Sequence, residues 1–174
     1  MTIKTILTEP NKILRQVSKP VEKVGLEERQ LMDDMLETMY HANGIGLAAI
    51  QIGVAKRIIV MDLSKKEEEK NPMFFVNPVI KNKNQNFSTY EEGCLSVPNQ
   101  FAEVERPKTC EVEYLDYDGN QKTIKAEGLL ATCIQHEMDH LQGILFIDYL
   151  SKLKKSMIIK KLSKDKNKSN RVTF

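Results

Sequence analysis

The spacing of apolar positions divides the chain into a helical beginning, a β middle and a helical end. Glu9-Pro10 and Lys19-Pro20 bracket a short amphipathic piece that carries Ile13, Leu14 and Val17. Over residues 26–42, Leu31, Met32, Met35, Leu36 and Met39 recur at helical spacing, with charged residues on the other face, as a helix packed on a core requires. Asn43-Gly44-Ile45-Gly46 stops that helix and leads into Leu47-Ala48-Ala49-Ile50-Gln51, an apolar run with one polar residue. From Arg57 the pattern changes. Residues 58–61, 74–76 and 79–80 read as short strands, with further strands at 87–90, 101–105, 109–116 and 121–126. The charged stretch 64–71 reads as a solvated loop, and Asp118-Gly119 or Gly119-Asn120 as the turn of a hairpin. Helical spacing returns over residues 129–141. It appears again over 148–166, where Leu150, Leu153, Met157, Ile158 and Leu162 lie beneath a lysine-rich face. The pattern predicts an α+β fold: antiparallel β-sheets surrounding a central α-helix, with an N-terminal helix and a C-terminal amphipathic helix.

Length and composition bound what this fold can hold. At 174 residues and 41% hydrophobic, the chain can bury one substantial core but not two comfortable ones. Its three cysteines form no even framework, and Met1-Thr2-Ile3-Lys4-Thr5-Ile6-Leu7 holds no apolar segment of signal-peptide length. No run approaches the length of a bilayer span. These features predict a protein of a reducing compartment, most simply the cytoplasm, with no membrane partner. The net charge of +2 conceals an asymmetry. Lys152, Lys154, Lys155, Lys160, Lys161, Lys164, Lys166, Lys168 and Arg171 face the single acid Asp165, a balance of +8, which leaves −6 on residues 1–151. The basic tail is the candidate contact for a nucleic acid or a charged surface.

Chemistry concentrates in Gln135-His136-Glu137-Met138-Asp139-His140, an HExxH motif inside the apolar run over residues 129–141. Residues four apart share a helix face, so both imidazoles can converge on one cation. Glu137 beside them can take a proton from a water acidified by that cation. A third ligand is still needed. The longer motif HExxHxxGxxH would place a histidine at position 146, which is Phe146, and no glutamate follows Glu137. The ligand is therefore sought upstream, among Cys94, Cys110 and Cys133. Cys133 sits a turn behind the histidines and reads as a pocket wall; Cys110 fits an inward-facing strand position. Cys94 lies in Glu92-Gly93-Cys94-Leu95-Ser96-Val97-Pro98, where Gly93 frees the backbone and Pro98 interrupts strand pairing, so it suits a thiolate presented at a strand end. Gly44 and Gly46 permit close backbone approach, and Gln51 is an amide that needs a hydrogen-bond partner, for which a substrate carbonyl is one candidate. His41 has no motif around it and reads as a surface or capping histidine.

Three separated segments resemble, in order and spacing, the signature motifs of the peptide deformylases: residues 44–51, Glu92-Gly93-Cys94-Leu95-Ser96, and Gln135 to His140. The likeness runs from about Leu7 to Leu153 and departs at Ile50, where many members have proline. It implies a bacterial-type enzyme that removes the formyl group from the N-terminal formyl-methionine of newly made chains. It further implies one divalent metal on Cys94, His136 and His140, natively Fe(2+), with zinc or nickel possible in a purified sample. By the same likeness Glu137 carries the proton, Gln51 and the Leu95 N–H stabilise the oxyanion, and Arg106 faces Asp139. Likeness and helix phase together nominate Ile45, Leu129, Cys133 and the His136 ring as the methionine pocket, with Gly46 pairing the peptide backbone. Residues 1–150 are expected to form one catalytic domain, and 151–174 its basic C-terminal helix and tail. That tail is a candidate for contact with ribosomal RNA; DNA is not expected as a partner. Two other classes share part of the pattern: a zinc endopeptidase, whose third ligand is missing here, and a non-catalytic metal- or RNA-binding protein.

Overall fold

A computed structural model provides the architecture, and the structure describes residues 2–65 and 69–169. Arg171 and the side chains of Lys166 and Lys168 lie outside it, as do residues 66–68 of the loop expected at 64–71. The elements follow as α1 (Leu26–His41), β1 (Gly46–Ala48), β2 (Ile58–Met61), β3 (Met73–Lys83), β4 (Phe87–Cys94), β5 (Val97–Pro107), β6 (Thr109–Leu115), β7 (Gln121–Glu127), α2 (Gly128–His140) and α3 (Lys152–Ser169). Single 3-10 turns form at Lys12–Arg15, Ala49–Ile52 and Phe146–Tyr149. All strand pairs are antiparallel, in a five-stranded sheet of order β1-β2-β3-β6-β7 and a separate β4-β5 hairpin.

The apolar run of β2 explains where the core sits. Ile58 and Val60 face Met32, Met35 and Met39 of α1, while Ile59 and Met61 face Ala131 and Ile134 of α2, so both faces of the strand are buried. Each such fully buried side chain contributes about 1.5–3 kcal/mol. A third cluster joins Val97 and Val104 of β5 to Phe146, Ile147, Ile158 and Leu162. Helix α2 is thereby packed against β1, β5, β6 and β7, and the HExxH residues lie in the middle of the molecule.

Several boundaries differ from the expectations, each for a local reason. Residues 46–48 form a strand, because Gly46, Leu47 and Ala48 pair with Met61, Val60 and Ile59. Residues 74–76 and 79–80 belong to one strand: Asn77, at φ 50, and Pro78 fall at a register shift between Val76 and Val79 that a pattern reader sees as a break. Pro98 is part of β5, yet it lies where the partner of the strand jumps, Cys94 opposing Val97 and Gly93 opposing Phe101. The β6–β7 connection is a loop over residues 116–120 rather than a two-residue turn; the Asp116 carboxylate accepts from the Asp118 and Asn120 N–H groups, and Gly119 takes φ 84. Helix α3 begins only at Lys152. Ser151 caps it through a hydroxyl to the Lys154 N–H at 3.3 Å, and Leu150 stays in the linker. Leu153 and Met157 are exposed, because α3 docks through the narrower stripe of Ile158 and Leu162.

Candidate metal centre and its cleft

Two local geometries bring the donor atoms together. On α2, His136 and His140 sit one turn apart, with ring centroids 5.1 Å from each other. On β4, alternation points Tyr90, Glu92 and Cys94 to one side, and the register shift at Gly93 and Cys94 ends the strand at the cysteine. One ligand atom from each of Cys94, His136 and His140 lies within 4.8 Å of the other two. The Cys94 Sγ is 3.3 Å from His140 Nε2, and the Ser96 N–H and Gln51 Nε2 donate to that sulfur at 3.4 and 3.6 Å. One soft sulfur and two imidazoles form a donor set that suits a divalent transition metal.

A buried ionic chain stands behind the histidine. The Glu92 Oε2 lies 2.8 Å from His136 Nδ1 and also accepts from Arg106 at 3.0 Å, while Glu92 Oε1 accepts from Arg106 Nε at 2.5 Å. Burial would raise the Glu92 pKa, but the hydrogen bonds from His136 and Arg106 outweigh it and hold the carboxyl below its ordinary value. An ionised carboxylate only accepts, so His136 Nδ1 carries the hydrogen and Nε2 is left to bind a cation. Burial opposes charge on His136, yet Cys94 and Glu92 raise its pKa; burial and the neighbouring His136 lower that of His140.

Glu137 has been brought beside this centre by a glycine. A Cβ built on Gly46 would lie 2.5 Å from Glu137 Oε1, so only the absence of a side chain at 46 lets the carboxylate abut β1. Glu137 is buried, and its Oε2 has no hydrogen-bond partner among the described residues. Burial chiefly, reinforced by Glu92 and Asp139 against His136 and Arg106, pushes its pKa up to about 7. Beside it opens a cleft of about 510 Å³, whose lining includes Ile45, Gln51, Leu95, Leu129 and Cys133. Ile45 and Leu129 are half-exposed at its rim. Cys133 is buried, and burial pushes its thiol up to about 12, in keeping with a wall rather than a ligand. Gln51 has acquired partners within the protein: its Oε1 accepts from the Ala48 N–H at 2.8 Å and its Nε2 donates to Ser96 Oγ at 3.0 Å. The Asp62 N–H donates to the Ile45 carbonyl, so by antiparallel alternation the N–H and C=O of Gly46 face the free edge of β1.

Comparison with known proteins bears directly on this constellation. The family described as "Polypeptide deformylase" matches residues 3–156. A peptide deformylase from Pelagibacter ubique is 76% identical over 172 residues, 99% of each chain, and one from Rhizobium meliloti is 57% identical over 94% of each. The chain belongs to the peptide deformylase family. A crystal structure of peptide deformylase from Ehrlichia chaffeensis agrees with a TM-score of 0.93 at 44% identity, covering 97% of this chain and 99% of that one. A second from that organism, in complex with actinonin, has a TM-score of 0.91 at 46% identity, covering 95% and 98%. As a member of this family the chain is a metal-binding hydrolase, and its reaction is removal of the formyl group from N-formylmethionyl peptides. No described helix is long and apolar enough to cross a membrane.

The peptide deformylase motifs contain most of the residues that the fold assembles, but not all. Arg106 does meet Asp139, at 2.8 Å, and it meets Glu92 more extensively. Glu92 stands inside a motif, and its parity with Cys94 on a strand was a usable signal that both face α2. Phe146 and Tyr149 near the histidines had no such signal. The Phe146 ring stacks on His136 at 6.2 Å, and the Tyr149 hydroxyl donates to Asp139 at 2.8 Å. Cys110 lies in the core opposite Ala126, and His41 is exposed at the end of α1, both away from the centre.

Proposed function

We propose that Cys94, His136 and His140 hold one divalent cation and that Glu137 moves the proton during hydrolysis of the formyl amide. The observation that carries this reading is the convergence of a sulfur and two imidazoles within 4.8 Å, beside a buried carboxylate. A cation so held would supply Lewis-acid polarisation of a water and of the carbonyl oxygen. Glu137 takes a proton from the attacking water as its oxygen bonds to the formyl carbon. The carbon–nitrogen bond then breaks, Glu137 returns that proton to the amine, and the product acid leaves as formate after giving its remaining proton to water. The Gln51 amide, held by Ala48 and Ser96 and turning its 3.6 Å donor from the Cys94 sulfur to the substrate, and the Leu95 backbone N–H stabilise the charge that develops on oxygen. The peptide backbone pairs with the free edge of β1 at Gly46, and the methionine side chain enters between Ile45, Leu129 and Cys133.

Fe(2+) is the native metal in this reading, on family likeness and on a donor set that iron shares with zinc and nickel. The enzyme works in the cytoplasm, residues 1–150 act as one catalytic domain, and 151–174 form its basic helix and tail. Formate release from formyl-Met-Ala-Ser tests the proposal. Glu137→Ala should lower kcat by about 10²–10⁴-fold with metal retained, and undiminished release would refute the role of Glu137.

The exposed lysines of α3, Lys154, Lys160, Lys161 and Lys164, support contact with ribosomal RNA. Ile158 and Leu162 anchor α3 in the core, so changing charge is a cleaner test than deleting the helix. Replacing those lysines with glutamine should weaken salt-sensitive ribosome binding and spare activity on a short formyl peptide; unchanged binding contradicts the contact.

A further inference from the structure

The ionic chain behind His136 does not end at Arg106. Arg106 Nη1 donates to Asp139 Oδ2 at 2.8 Å, and the Tyr149 hydroxyl donates to the same oxygen at 2.8 Å. The Tyr149 ring also covers the guanidinium, with Arg106 Cζ 5.0 Å from its centroid. Glu92, Arg106 and His136 are buried, whereas Tyr149 is 51% exposed, so it forms the outer cap of the chain. Its place in the backbone adds a second contact. Phe146 and Tyr149 are the first and last residues of one 3-10 turn, and side chains three apart on such a turn eclipse. That turn therefore sets one ring on the His136 imidazole and one hydroxyl on Asp139, which follows His136 by three residues on α2.

We infer that Tyr149 is a positioning residue for the metal centre: it fixes Asp139 and Arg106, and through Glu92 the orientation of the His136 imidazole. The inference rests on the ligand assignment proposed above. Arg106 is shared between two carboxylates. The hydroxyl on Asp139 and the ring over the guanidinium together keep it in the geometry that presents both of its other donors to Glu92. With the hydroxyl gone, Asp139 loses one of its two side-chain donors among the described residues, Arg106 gains freedom to shift, and Glu92 follows. His136 is then held less firmly in the orientation that directs Nε2 at a cation. Tyr149 touches neither the ligand atoms nor the cleft, so its effect is expected on metal retention and not on peptide binding.

The test uses the zinc-loaded enzyme, titrated with a chromophoric zinc chelator, alongside thermal melting and steady-state KM. Glu92→Gln neutralises the carboxylate that a ligating histidine donates to and should weaken zinc binding about 10–100-fold. Tyr149→Phe keeps the ring and loses the hydroxyl; being three links further out, it should weaken binding about 3–10-fold with KM unchanged. Tyr149→Leu removes both contacts and should weaken it further. Tyr117→Phe deletes a hydroxyl that donates to Asp33 on α1, remote from the centre, and should leave zinc affinity unaltered. Zinc affinity of both Tyr149 variants equal to that of the wild type, whatever their melting temperatures, would overturn the inference. A wild-type protein that binds no zinc would instead overturn the ligand assignment itself.

Discussion

Replacing Gly46 with alanine isolates the position of the Glu137 carboxylate from its chemistry. Gly46 does not occupy a left-handed conformation, so alanine brings no backbone strain, and the added methyl acts by contact alone. That methyl would lie 2.5 Å from Glu137 Oε1, 2.9 Å from Cδ and 3.1 Å from Cγ. Restoring an ordinary contact of about 3.4 Å requires the carboxylate to retreat by about 0.9 Å, and a misplacement near 1 Å costs on the order of 10²-fold in rate. The corresponding loss of transition-state stabilisation is about 2.7 kcal/mol. The methyl points at Glu137 and not along the free edge of β1, so the loss should fall on kcat more than on KM. Formate release by Gly46→Ala, measured with metal content and melting temperature, provides the assay. Retention of more than half the wild-type kcat, with the metal in place, would show that the contact does not control the carboxylate.

Other consequences can be measured independently. Cys94 is partly exposed while Cys110 and Cys133 are buried, with burial raising both of their thiol pKa values. Alkylation of chelator-treated native protein at pH 8 should therefore modify Cys94 first, read by peptide mass spectrometry; prior labelling of Cys133 would contradict the assigned environments. Asp148 joins Arg15 at 2.5 Å and Lys155 at 2.6 Å; burial would raise its pKa, but Lys155, the Leu145 N–H and Arg15 hold it below the ordinary value. A depressed carboxyl stabilises the fold above its unfolded pKa of about 3.9 and loses that contribution as pH falls through the folded value. Asp148→Asn should accordingly cost about 1–3 kcal/mol at neutral pH, with the gap to wild type closing in acid; a pH-independent gap would refute the linkage. Cys133→Phe puts a ring into the wall of the cleft and should raise KM for formyl-Met peptides about tenfold or more, whereas an unchanged KM would remove that wall from the methionine pocket.

What could be read from the sequence was local, and what could not was tertiary. Helices α1 and α2 and the ligand pair on α2 follow from periods of three and four residues, which need no knowledge of neighbours. Cys94 stood out because glycine and proline flank it in a motif. Gly46 was legible as a point of close approach, but the chain read alone suggested a peptide as the neighbour and left Glu137 unseen. The Glu92–Arg106–Asp139–Tyr149 chain draws on β4, β5, α2 and the turn before α3, and no spacing rule links positions so far apart. The apolar set over residues 148–166 likewise specified a helix without specifying its docked stripe; Ile158 and Leu162 entered the core while Leu153 and Met157 stayed outside. Strand breaks at Asn77-Pro78 and Pro98 were visible as punctuation, although each proved to be a register shift inside a longer strand.

The proposed chemistry depends on one coordination shell, and metal-edge X-ray absorption on the purified, loaded enzyme examines it directly. It predicts one sulfur at about 2.3 Å with two imidazole nitrogens at about 2.0–2.1 Å if the ion is zinc, and loss of the sulfur shell in Cys94→Ser. A shell of nitrogen and oxygen alone in the wild type, or a sulfur that persists after Cys94 is replaced, would contradict it.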